Sequence, residues 1–121
     1  MRHSPPEVAS AFARSWQDAW NAQGAAAVAK LYTPDSVLIG AAIAVGRPEI
    51  ERSLDRLIQL GWTRISINVV NARAVGGVVL VVSEFSAVGS GPNTGKLLSG
   101  RSSHVLTLVD DRWLSAMHSA A

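Results

Sequence analysis

The stretch "GWTRISINVVNARAVGGVVLVVSEFSAV", Gly61 to Val88, decides the fold. Ile65, Ile67 and Val69 alternate with Arg64, Ser66 and Asn68, the period of two that marks a strand with one buried face. Gly76-Gly77 supplies a hairpin turn. Downstream, Ser90 to Gly95 reads as a longer connection and Asp110-Asp111 as a tight turn. Four strands follow: Thr63 to Val75, Val78 to Val88, Leu97 to Val109 and Arg112 to Ser119.

Upstream the period is helical. Val8, Phe12, Trp16 and Trp20 recur every four residues between Pro6 and Asn21, which places them on one helix face. Gly24 breaks that pattern. Ala25 to Tyr32 reads as a short second helix, followed by a turn at Thr33 to Asp35 and a short strand over Val37 to Ile39. "GRPEIE" opens a third helix, with Pro48 in its first turn, Glu49 and Glu51 at the positive end of the helix dipole and Gly61 beyond its end. Helices first and an antiparallel meander afterwards specify the α+β class.

The chain has 121 residues, enough for a single domain over residues 1–121 but not for two adequate cores. With 48% hydrophobic and 17% charged residues it has the composition of a globular protein. The net charge is +2, and the eleven lysines and arginines form no stripe, so nucleic acid is not an expected partner. Cysteine is absent, which removes disulfides, thiolate metal sites and cysteine nucleophiles. "MRHSPPEVAS" lacks the apolar core of a leader and "VGGVVLVV" is too short to span a bilayer, so a cytoplasmic protein without membrane contact is expected.

Two-residue turns at Gly76-Gly77 and Asp110-Asp111 set Val69 opposite Glu84 and His104 opposite Met117. One sheet face then carries Ile65, Ile67, Val69, Leu80, Val82, Glu84, His104, Leu106, Leu108, Trp113 and Met117, and the helices should cover it. The other carries Val79, Val81, Phe85, Val105, Val109 and Leu114, with His118 among the polar residues. Large apolar residues on a face without helices point to a homodimer through the outer sheet.

"SWQDAWNAQGAAAVAKLYTPDSVLI", "GRPEIERSL" and "SHVLTLVDDRWLSAMH", in that order, resemble the nuclear transport factor 2-like superfamily, in its SnoaL-like and ketosteroid isomerase-like branches. The resemblance covers nearly the whole chain. It implies a cone: three N-terminal helices packed on a curved, mainly antiparallel sheet, with a pocket at the wide end. Ketosteroid isomerases use an aspartate base assisted by a tyrosine and a protonated aspartate. Ungapped alignment of "YTPDSVLIG" puts the base on Gly40 and the tyrosine on Trp16, and the second aspartate falls on His104. The isomerase base is therefore missing.

Of the nine carboxylates, Glu84 alone lies within an apolar strand. On a buried face it would need a partner or a raised pKa, and with His104 it would form a base and its orienting group. The competing reading ties it to an arginine such as Arg101. His104 either serves as a proton donor and acceptor or is a hydrogen-bonded core residue. His3, His104 and His118 do not share a metal-ligand spacing, so neither metal nor cofactor is expected. "SGPNTGKL" lacks both the first glycine and the terminal hydroxyl of a phosphate loop, and it leads into a strand.

The expected site is an apolar pocket bounded by Trp16, Tyr32, Ile39, Leu54 and Ile58, with His104 and Glu84 as candidate catalytic groups. The expected function is binding of a small hydrophobic molecule that has one polar handle. The alternatives are a cofactor-independent isomerase, cyclase or dehydratase, and a non-catalytic dimerisation module.

Overall fold

The computed structural model describes residues 3–22 and 24–121. Met1 and Arg2, part of the segment read for a leader, and Gln23 lie outside the described residues. Helices α1 (Pro5–Ala22), α2 (Ala25–Ala29) and α3 (Arg47–Gln59) pack on strands β1 (Tyr32–Ile39), β2 (Ile43–Val45), β3 (Trp62–Val75), β4 (Val78–Gly89), β5 (Leu97–Val109) and β6 (Arg112–Ala120). The sheet order is β2-β1-β6-β5-β4-β3, antiparallel throughout except for β1 against β6. This is the expected α+β arrangement.

Helix α1 starts with a capping box: the Glu7 amide donates to Ser4 Oγ at 3.3 Å and the Ser4 amide donates to Glu7 Oε1 at 3.1 Å. Its apolar face buries Val8, Ala9, Phe12, Trp16 and Trp20 against the sheet. Its flank also closes a sheet edge. Strand β3 is terminal in the sheet, and its free backbone groups would invite pairing with another chain. Asn21 accepts from the Ile65 amide at 2.8 Å and donates to the Ile65 carbonyl at 3.0 Å. Gln17 accepts from the Ile67 amide at 2.9 Å, and the Trp20 indole donates to the Trp62 carbonyl at 2.8 Å. The helix therefore acts as a substitute strand there.

The second helix is shorter than expected, ending at Ala29, and Tyr32 begins β1. The Ser115 amide donates to the Leu31 carbonyl at 2.8 Å, so pairing with β6 captures the chain before another helical turn forms. Thr33 to Asp35, expected as a turn, is an irregular part of β1, where the register with β6 shifts between Tyr32 and Val37. At the end of α3, Gly61 has φ +100° and approaches Ser90 so closely that a Cβ would lie 2.0 Å from the Ser90 carbonyl oxygen. Glycine is required there on both counts.

Both hairpin turns form as expected, with Val75 opposite Val78 and Val109 opposite Arg112. The faces beyond them differ because each hairpin contains a bulge. In β3 the register slips between Val69 and Asn71, with Val70 as the extra residue, so Val69 faces Ser83 and Glu84 faces Asn68. In β6 the slip at Ala116 puts His104 opposite His118 instead of Met117. One extra residue exchanges inside for outside in everything beyond it. Val79 and Val81 are consequently buried in the core, and Phe85 also points inward, whereas Leu80, Val82, Glu84 and Met117 lie on the outer face. His118 moves the other way, into the interior.

Among the described residues, no helix is long and apolar enough to cross a membrane. Replacing Asn21 with alanine removes two bonds from an exposed edge and should cost about 1 to 2 kcal/mol. Urea unfolding should show a lower midpoint with an unchanged slope.

Candidate functional site

Between the helices and the concave sheet face lies a cavity of about 430 Å³. Its walls are mainly apolar: Phe12, Ala13, Trp16 and Trp20 from α1, Leu54 and Leu57 from α3, and Ile65, Ile67, Val81 and Phe85 from the sheet. Trp16 and Trp20 stack on each other with centroids 5.1 Å apart and planes 10° apart, and both line the cavity. Gly40, the position resembling the isomerase base, also lines the cavity, followed by Ala41 and Ala42. Among the described residues no aspartate or glutamate lines it, and Arg56 is its one charged side chain.

The polar centre is a pair of histidines. His104 on β5 and His118 on β6 are register partners, and their rings stack with centroids 3.8 Å apart and planes 19° apart. Phe12 meets His104 edge-on at 5.0 Å and Trp16 meets His118 edge-on at 6.2 Å. Hydroxyls hold both rings. Tyr32 Oη is 2.7 Å from His118 Nδ1 and accepts from the Trp16 indole at 3.0 Å. Ser115 Oγ is 2.8 Å from His104 Nδ1 and donates to the Met117 carbonyl at 3.1 Å. Arg47 fixes the start of β1 by donating to the Tyr32 carbonyl, with Nε at 3.1 Å and a second bond from Nη2.

Burial disfavours charge on these groups. It pushes His118 down from 6.5 to about 3. His104 is held well below 6.5, first by burial and then by the neighbouring His118. Burial raises the Tyr32 phenol above its ordinary value, against a smaller lowering by the Trp16 bond. Near neutral pH the whole cluster is uncharged.

Of the residues singled out in the sequence, Trp16, Leu54 and His104 line the cavity. Tyr32 lies behind the lining, fully buried, and reaches the site through His118. Leu38 lines the wall where Ile39 was expected, since adjacent strand residues point oppositely. Ile58 packs against the core cluster, and Leu54 and Leu57 supply the lining from α3. Glu84 is exposed on the far side of the sheet opposite Arg101 in register, so it cannot partner His104. His118 takes its place in the site. The Ala116 bulge brings it there, and no local pattern in "WLSAMH" announces that bulge. Among the described residues no three potential metal ligands gather together.

Residues 13–116 match the SnoaL-like domain family. No curated protein matches the chain. The fold is similar to that of an NTF-2 like protein of unknown function from Shewanella oneidensis MR-1, with TM-score 0.79, 16% identity, and coverage of 96% of this chain and 98% of that one. It is also similar to a ketosteroid isomerase-like protein from Erwinia carotovora atroseptica SCRI1043, with TM-score 0.77, 20% identity, and coverage of 94% and 92%. A hypothetical protein with a ketosteroid isomerase-like fold from Catenulispora acidiphila DSM 44928, in complex with trimethylamine, gives TM-score 0.67, 15% identity, and coverage of 98% and 86%.

The depressed histidines set a sign for stability against pH. Unfolded, each binds a proton as pH falls through 6.5, whereas folded His118 stays neutral to about 3 and His104 also resists protonation. Their stabilising contribution is full above 6.5 and is lost progressively below it, at roughly 1 to 2 kcal/mol per pH unit for each histidine. Urea midpoints should fall between pH 7 and pH 5, and less steeply in a His118→Asn protein.

Proposed function

The chain belongs to the SnoaL-like family, and we propose that it binds a small, largely hydrophobic molecule in the cavity, with the polar handle of that molecule at His104 and His118. The observation that carries this reading is the cavity of about 430 Å³ whose apolar walls converge on two buried, neutral imidazoles. A few placed polar groups in an apolar recess are the usual anatomy of a small-molecule site. Proton-transfer chemistry is supported less well: Glu84 is outside the cavity, and two imidazoles with depressed pKa values are weak bases at neutral pH. As an isomerase, cyclase or dehydratase the protein would use these histidines as neutral hydrogen-bonding groups.

A second copy of the chain on the outer sheet face is also proposed. Leu80, Val105, Met117 and Val37 are successive register partners across β4, β5, β6 and β1, which makes an apolar row on that face. Further along the same face, beyond Val82 and Ser103, the register pair Glu84 and Arg101 gives opposite charges that a two-fold axis can match.

Calorimetric titration with 2-ethylnaphthalene should show saturable binding at one site per chain. Ala13→Phe, which adds a ring to the lining, should weaken it at least tenfold; unchanged affinity in that variant would count against the cavity as the site. Sedimentation at micromolar concentration should show a dimer, and Met117→Glu should shift it toward monomer.

A further inference from the structure

The stacked histidines are chemically unlike, and the protons on their neighbours decide how. Ser115 Oγ contacts His104 Nδ1 and the Met117 carbonyl. A carbonyl can only accept, so the single serine hydrogen goes to Met117, and His104 Nδ1 must carry a hydrogen to donate to Ser115. The Trp16 indole can only donate, so it occupies an acceptor position on Tyr32 Oη. The phenol hydrogen then has one acceptor in reach among the described residues, His118 Nδ1. Tyr32 is fully buried, and a hydrogen directed elsewhere would be an unpaired buried donor. His118 Nδ1 is therefore bare and its hydrogen is on Nε2, while His104 has the reverse arrangement.

The two Nδ1 atoms bond hydroxyls carried by one register pair, Tyr32 and Ser115, so both rings point that edge the same way. Their Nε2 edges turn away from it together. Neither Nε2 has a hydrogen-bond partner among the described residues, and neither is among the fully buried polar atoms that lack one, which are Thr33 Oγ1 and Ser36 Oγ. Both histidines line the cavity. The cavity thus meets a bare acceptor beside an N–H donor.

We propose that this pair reads the edge of a carboxamide, the ligand N–H donating to His104 Nε2 and the ligand carbonyl accepting from His118 Nε2–H. The inference deepens the binding reading above and rests on it. An amide carries a donor nitrogen and an acceptor oxygen on one carbon, side by side along one edge, which suits two rings stacked at 3.8 Å. A ketone of the same shape satisfies His118 and leaves His104 facing an apolar group. A site built for two hydrogen bonds discriminates against a ligand that makes one.

Long-range proton–nitrogen NMR of the ligand-free, nitrogen-15 protein at pH 7 tests the tautomers without any ligand. The expected result is a hydrogen on Nδ1 of His104 and on Nε2 of His118; the same tautomer in both rings overturns the inference. Calorimetry then compares 2-naphthamide, its near-isostere 2-acetonaphthone, and 2-ethylnaphthalene. The amide should bind at least tenfold more tightly than the ketone. Equal affinities for all three would overturn the amide preference while leaving the binding reading intact, whereas no binding by any of them would remove both. Ser115→Ala should let the His104 tautomers mix in the NMR spectrum and shrink the preference for amide over ketone, and an unchanged spectrum and preference would count against the assignment.

Discussion

The hydroxyl of Tyr32 is the joint on which the interior depends. It accepts from Trp16 on α1, contacts His118 on β6, and belongs to the first residue of β1. One oxygen atom thus connects the principal helix to two strands that are distant in sequence. Because Tyr32 has no exposed surface, losing any partner would leave a polar group without water to replace it. Arg47 restrains the same residue from its carbonyl side, which ties the start of α3 into the joint. The aromatic wall of the cavity and the orientation of His118 both follow from this connection.

The chemistry inside is that of neutral groups. Gly40, which the sequence resemblance aligned with the isomerase base, lies at the cavity wall, and among the described residues no aspartate or glutamate lines the cavity. Apolar walls that favour binding also lower the basicity of the two histidines, since the same desolvation acts on both. The site is accordingly suited to hydrogen bonding, and the tautomer of each ring is set by a hydroxyl outside the cavity surface.

Most of the architecture was legible in the residues because it rests on local signals. The four-residue recurrence from Val8 to Trp20, the proline-glutamate start of α3 and the two tight turns each act over a few residues, and each produced the expected element. The capping box at Ser4 and Glu7 is equally local and could be read the same way. The short second helix shows the limit: alanine preference favoured continuation, but pairing of the Leu31 carbonyl with β6 ended the helix early.

Sequence alone thus determined the class, the order of the three helices and the four long strands, and both hairpin turns, whereas the short strand β2 had no signal in it. The resemblance to ketosteroid isomerases set their base opposite Gly40, a reading that needs only the residue types along the chain. Tertiary structure alone decided the faces of β4 and the far half of β6. The unbroken apolar run from Val78 to Val82 has no alternation to reveal its inward side, and the bulges at Val70 and Ala116 are set by cross-strand pairing and packing. Those two extra residues sent Glu84 outward and brought His118 inward. In a strand of period two, a single inserted residue is enough to exchange one candidate site for another.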